Sequence, residues 1–163
     1  MFALHTARAG SPAELYAELL EQARALLHGE RDATANAANL ASLVFHTLPE
    51  LNWAGFYWLR GGELVLGPFQ GKPACVRIAV GKGVCGTAVA ERRTIVVADV
   101  NAFPGHIACD SASRSELVVP VSRGGAILGV LDLDSPRPGR FTDPDARGME
   151  AVVRAFVEAT EPG

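Results

Sequence analysis

The chain has 163 residues, 48% of them hydrophobic, which suits one domain with a core of its own and leaves little room for two. Its 15 Lys and Arg against 18 Asp and Glu give a formal charge of −3, so no basic field exists to hold a nucleic acid backbone. No stretch approaches the ~20 apolar residues of a membrane span, and the opening MFALHTARAGSPAE lacks a basic segment followed by an apolar one, so the expectation is a soluble cytoplasmic protein.

The first predicted element is a helix over 12–27. Ser11 can cap an orphan amide, Pro12 is tolerated in a first turn, and Glu14 completes a capping box. Leu15, Leu19, Leu20, Ala23 and Leu27 recur at helical spacing, so one face is apolar and the other, with Glu18, Glu21 and Arg24, is wet. A second helix over 33–48 begins at Asp32 and carries Leu40, Leu43, Val44 and Leu48. The texture then changes to hairpins. WAGFYWL at 53–59 and ELVL at 63–66 flank the turn Arg60-Gly61-Gly62, and a loop is expected over 67–74. CVRIAV at 75–80 reads as strand, 84–91 as a short helix after Gly81-Lys82-Gly83, and TIVVA at 94–98 as another strand.

Residues 99–115 form a long polar loop, of the kind that is usually functional or mobile, and it contains Cys109. Strands at 116–122 and 126–134 flank Arg123-Gly124-Gly125 as a second hairpin, and Thr142-Asp143-Pro144 opens a last helix to 160. Hairpins with helices at both ends and one between predict an α+β domain, an antiparallel sheet with helices packed on it, spanning 1–163. Its parts are two N-terminal helices (12–48), a sheet core (52–135) and a C-terminal helix (143–160).

Three groups of residues have chemical potential. The cysteines, Cys75, Cys85 and Cys109, are odd in number and contain no CxxC, which argues against a secreted disulfide framework or structural zinc and leaves thiol chemistry open. Cys109 has His106 and Arg114 nearby, which favour thiolate, and Asp110, which opposes it. Cys75 opens a strand, whereas Cys85, among Gly83, Val84, Gly86 and Ala88, reads as a small buried hydrophobe. In VLDLD, alternation puts Asp132 and Asp134 on one strand face and Leu131 and Leu133 on the other. These acids are either a solvated face or the wall of a pocket, and Glu116 on the adjacent strand can join them. Like charges so close would push one carboxyl's pKa upward. Among the aromatics, Trp53 and Tyr57 share one face and Phe56 and Trp58 the other, and one set can line a ligand cavity. The glycine run GKGVCG lacks the GKS/T ending of a phosphate loop.

NWAGFYWL, LGPFQGKPAC, GKGVCGTA, DVNAFPGHIACDSASRSELVVPV and ILGVLDLDSPRPGRFTD together resemble the free methionine-(R)-sulfoxide reductases, enzymes built on a GAF domain. The stretches cover most of 52–143, and the three cysteines fall in three separate motifs. The resemblance implies a six-stranded antiparallel sheet with flanking helices, a homodimer, and a small pocket for free methionine sulfoxide. It implies Cys109 as the catalytic thiol and Cys75 as its disulfide partner, with Cys85 sharing resolving or catalytic duty. Trp53, with Tyr57, would bind the substrate's methyl end, and Glu116, Asp132 and Asp134 would bind the sulfoxide and the amino group. A thiolate would attack the sulfoxide sulfur, an acid would protonate the oxygen, and the sulfenic acid would condense with a second thiol. No metal, flavin or nicotinamide cofactor is implied, and thioredoxin is the expected reductant. The sequence is also compatible with two rivals: a GAF sensor that binds a small ligand without turnover, and a thiol peroxidase or redox switch acting through Cys109.

Overall fold

Helix formation starts where the sequence offers caps. Ser11 Oγ accepts the Glu14 amide (3.3 Å) at the head of α1 (Pro12–Leu27), and Asp32 Oδ1 accepts the Ala35 amide (2.8 Å) at the head of α2 (Ala33–Thr47). The computed structural model describes residues 2–4, 10–107 and 109–162, so the two ends of the expected 1–163 domain and Ala108 of the expected loop lie outside the described residues. The other elements are β1 (Trp53–Arg60), β2 (Glu63–Gly71), β3 (Arg77–Ala79), α3 (Gly83–Glu91), β4 (Ile95–Val97), β5 (Ser115–Arg123), β6 (Ala126–Ser135) and α4 (Asp143–Ala159). A 3-10 turn, Val100–Ala102, interrupts the long polar loop. No helix among the described residues is long and apolar enough to cross a membrane.

The strands make one antiparallel sheet in the order β3-β2-β1-β6-β5-β4, so the fold is α+β, as expected, with six strands and four α-helices among the described residues. Two boundaries differ from the sequence reading for identifiable reasons. The expected loop at 67–74 is largely strand, because β2 runs on to Gly71 opposite Trp53. Gly55 pairs with Phe69 and Tyr57 with Leu66, so one β1 residue faces two on β2, and this bulge absorbs Gly67 and Pro68. A proline with no amide to donate is tolerated at such a break in the ladder. The strand expected at 75–80 is only Arg77–Ala79, and Cys75 lies in the connection ahead of it. The remaining ends shift by one or two residues: Leu48 and Thr160 cap α2 and α4 rather than extending them.

Alternation along the strands sorts the sheet into two faces. Ala54, Phe56, Leu117, Val119, Leu131 and Leu133 point to one side, where α1, α2 and α4 bury Leu19, Leu40, Val44, Met149 and Phe156 against them. Close approach of α4 to α1 depends on Gly148, where any Cβ would collide with the Tyr16 ring. Tyr57, Val118 and Val130 point to the other side, which among the described residues is covered by α3 and by the loops before β3 and after β4. That thinner cover leaves room for a cavity.

Candidate active site

The acids of VLDLD project onto the α3 face. Because Leu131 and Leu133 belong to the opposite core, strand alternation turns Asp132 and Asp134 into the space beneath α3. In the register Glu116 of β5 lies opposite Asp134 and diagonal to Asp132, while β1 sets Trp53 opposite Asp134 and Gly55 opposite Asp132. Three carboxyls therefore meet on two adjacent strands, β5 and β6, with Trp53 of β1 beside them. Glu116 and Asp132 are each 6% exposed, so this is the wall of a pocket and not a solvated face.

The aromatic wall follows from a glycine. Gly55 sits between Trp53 and Tyr57 on the cavity face, and a Cβ there would run into Phe69 Cβ and the Trp53 ring. With that space free, Trp53 stacks on Phe69 (5.2 Å between ring centres) and on Tyr57 (5.9 Å). Trp53 Nε1 donates to the Lys72 carbonyl (3.1 Å) and the Tyr57 hydroxyl to the Cys75 carbonyl (2.9 Å). Both bonds tie the rings to the loop that carries Cys75. Phe56 and Trp58, the other parity set, pack with Phe156 of α4 and take no part in the cavity.

Two thiols close the mouth. Cys75 and Cys109, 34 residues apart, are joined by a disulfide with their Cα atoms 5.5 Å apart. Asp110, beside Cys109, has its carboxyl pKa held below the usual range. The Ala112 amide contributes most to this, burial works against it, and Asn52 and Lys72 help. Asn52 Nδ2 holds both Asp110 Oδ2 and Ser113 Oγ (3.1 Å each), anchoring this loop to the start of β1. Cys85 is the free thiol, in the first turn of α3, 4% exposed, with its Sγ 4.0 Å from Glu116 Oε1. Its burial in the cluster with Val84, Ala88 and Val118 agrees with the small hydrophobe expected from spacing, but its thiol also faces Glu116.

The electrostatics are one-sided. Burial pushes the Glu116 carboxyl well above its ordinary value, and the charges of Asp132 and Asp134 add to it. Asp134 is driven well upward by burial, then by Asp132 and Asp110. Burial also raises Asp132, although hydrogen bonds with Glu116 and Cys85 pull it back in part. The Cys85 thiol is held well above the usual thiol range by burial and then by Asp132 and Glu116. Among the described residues no Lys or Arg lines the cavity, and Asp132 Oδ1 is buried without a hydrogen-bond partner. His106 approaches most closely, its Nε2 3.8 Å from Glu116 Oε2, but burial lowers its pKa and favours the neutral ring.

The cavity thus brings together every residue singled out from the sequence: Trp53, Tyr57, Cys85, Cys109, Glu116, Asp132 and Asp134 line it, and Cys75 reaches it through the disulfide. His106, Ile107, Ser113, Gly83 and Val84 also line it and were not singled out as site residues. His106 had a signal, three residues before Cys109 in a polar loop. Ser113 and the α3 turn had none, since their place depends on how two loops fold over the sheet. Such an arrangement can accept a small cationic or zwitterionic molecule, donate a proton inside a desolvated site, and exchange two electrons through a thiol pair.

A model of the GAF domain family matches residues 11–159. The free methionine-R-sulfoxide reductase of Escherichia coli (strain K12) is 53% identical over 140 residues, 86% of this chain and 85% of that protein. The protein of the same name from Saccharomyces cerevisiae is 43% identical over 153 residues, 89% of this chain and 81% of its own. Among solved structures, the free methionine-R-sulfoxide reductase from Neisseria meningitidis in complex with its substrate aligns with a TM-score of 0.93 at 43% identity, covering 98% of this chain and 95% of that one.

Proposed function

The chain belongs to the GAF domain family, among oxidoreductases related to the free methionine-R-sulfoxide reductases, and from that premise we propose that it reduces free L-methionine-(R)-S-oxide to methionine through a thiol pair. The observation that carries the reading is the Cys75–Cys109 disulfide at the mouth of a cavity whose floor is three carboxyls, Glu116 and Asp132 buried and Asp134 half-buried, and whose wall is Trp53 and Tyr57. A sensor pocket has no need of a redox-active pair in that place.

In the reduced protein Cys109 is the nucleophile. Its Sγ attacks the sulfoxide sulfur while a cavity carboxyl gives a proton to the oxygen; the hydroxyl then passes from the substrate sulfur to Sγ as the S–S bond just formed breaks, so methionine leaves and Cys109 is a sulfenic acid. The Cys75 thiol then attacks that sulfur, water leaves, and the disulfide of this structure forms. Cys85, buried beside Glu116, serves the cavity rather than the exchange. Glu116, Asp132 and Asp134 divide two tasks, since a group of like charges so close favours at least one neutral carboxyl, and the remaining charge meets the substrate ammonium. Trp53 and Tyr57 offer the S-methyl end an apolar surface. An external dithiol of the thioredoxin type restores the thiols, and Cys75 and Cys109 are both half-buried at the rim, where such a reductant reaches them. That recycling belongs to a reducing compartment, the cytoplasm. The working unit is proposed to be a homodimer, which light scattering checks.

The test supplies dithiol and compares free methionine-(R)-sulfoxide, the same sulfoxide inside a peptide, and hydrogen peroxide. Free sulfoxide should be turned over fastest. An amide in place of the ammonium leaves a buried charge unpaired, at a cost of about 1–3 kcal/mol or more. Equal rates on the peptide, or faster consumption of peroxide, would contradict the reading.

A further inference from the structure

We propose that Cys85, Glu116 and Asp132 form a binding site for a thiophilic divalent cation, zinc foremost, on the floor of the cavity, and that a cation held there excludes the substrate. One ligand atom from each of the three side chains lies within 4.8 Å of the other two. Ligands at about 2.0–2.3 Å from zinc stand roughly 3.3–3.8 Å from one another, so adjustments of about 1 Å close the set on the metal.

The grouping is more than a cluster of acids. All three side chains are buried, at 4%, 6% and 6% exposure, and come from different elements, α3, β5 and β6. Asp132 lines this cavity, and its Oδ1 is buried with no hydrogen-bond partner, an orphaned acceptor that a cation would satisfy. Among the described residues no Lys or Arg lines the cavity to offset the charge, and the three ligands in their metal-binding forms carry three negative charges. A thiolate among the ligands selects zinc or a similar soft ion over magnesium or calcium. The fourth position faces the cavity, where His106 Nε2 stands 3.8 Å from Glu116 Oε2 and can supply it, or a water can.

The same carboxyls are those proposed to meet the substrate, so the cation acts as an inhibitor, and free zinc regulates the enzyme through substrate exclusion. This consequence rests on the reductase reading; binding of the ion does not. The experiment uses the oxidised protein, in which Cys75 and Cys109 are locked together and Cys85 is the free thiol. Cobalt(II) is titrated in, its thiolate charge-transfer absorption is followed, and zinc is then added to displace it. The expected result is one cobalt per chain with a thiolate band. Cys85→Ser removes the band, and Asp132→Asn and Glu116→Gln each weaken binding by about 10- to 100-fold, with circular dichroism confirming the fold of every variant. No thiolate band in the oxidised wild type, or an affinity that neither carboxamide variant changes, overturns the site. Methionine sulfoxide should raise the apparent cobalt dissociation constant, and a constant that stays fixed at saturating sulfoxide overturns the exclusion. A protein that binds cobalt in this way yet reduces no sulfoxide breaks the reductase reading and leaves the cation site standing.

Discussion

Two buried clusters of ionisable groups lie on opposite faces of one sheet, and they are built in opposite ways. Under the three-helix face, Asp145 Oδ1 accepts from the Tyr16 hydroxyl (2.6 Å) and pairs with Arg140 Nη1 (3.0 Å), while its Oδ2 accepts the Thr142 amide (2.8 Å). Arg140 Nε in turn donates to the Pro49 carbonyl (3.0 Å). Burial pushes the Asp145 carboxyl upward, but Tyr16, Thr142 and Arg140 outweigh it, and the group ends below the usual carboxylate range. Under the α3 face, Glu116, Asp132 and Asp134 have no Lys or Arg among the described residues beside them, one orphaned oxygen, and carboxyls driven upward. A buried charge with every partner present holds structure together; buried acids without partners cost stability and are retained where a ligand supplies what is missing.

The sharpest way to break this contrast is to remove the partner on the satisfied side. Arg140→Met leaves Asp145 as an uncompensated buried charge and should cost about 3–5 kcal/mol in urea denaturation, with single-turnover sulfoxide reduction by the folded fraction unchanged. On the other face the pattern should invert. Asp134→Asn or Glu116→Gln should leave stability equal or higher while slowing single-turnover methionine formation by a factor on the order of 10², and disulfide exchange should not change. Near-native rates in both variants would return the acids to a structural role and leave the proton source elsewhere.

Smaller changes refine the satisfied side. Tyr16→Phe deletes one hydrogen bond to a charged acceptor and should cost about 1.5–3 kcal/mol, measured by the same denaturation. The pH dependence is the finest test. Because the folded Asp145 carboxyl sits below its unfolded value, its contribution is fully present above the unfolded pKa of about 3.9 and is lost as pH falls through the folded value. Melting curves between pH 6 and 3 should therefore show a steeper loss below about pH 4 in the wild type than in Asp145→Asn. Parallel curves would remove Asp145 from the account.

The two faces also differ in how far they could be read from sequence. Whatever depends on local pattern was legible: the caps at Ser11 and Asp32, the Gly-Gly turns, and the alternation in VLDLD that puts both acids on one side. The continuation of β2 through Gly67 and Pro68 was not, since the bulge that admits a proline is defined by its pairing with β1. The Tyr16–Asp145–Arg140 network escaped entirely. Tyr16 and Asp145 are 129 residues apart, and no periodicity announces a contact between the start of one helix and the start of another. The meeting of Cys75 with Cys109, and of Cys85 with Glu116, came from resemblance to a family and from the structure, because each pair joins a loop or helix to a distant element.

The central claim is that Cys109 attacks and Cys75 resolves, and single-turnover methionine formation by the reduced Cys→Ser variants tests it most directly, with mass spectrometry of the trapped cysteine species. The account predicts no methionine from Cys109→Ser, and one methionine per chain from Cys75→Ser, which then stalls with Cys109 oxidised and no Cys75–Cys109 disulfide. A full single turnover by Cys109→Ser would contradict it and move the nucleophile to Cys85 or Cys75.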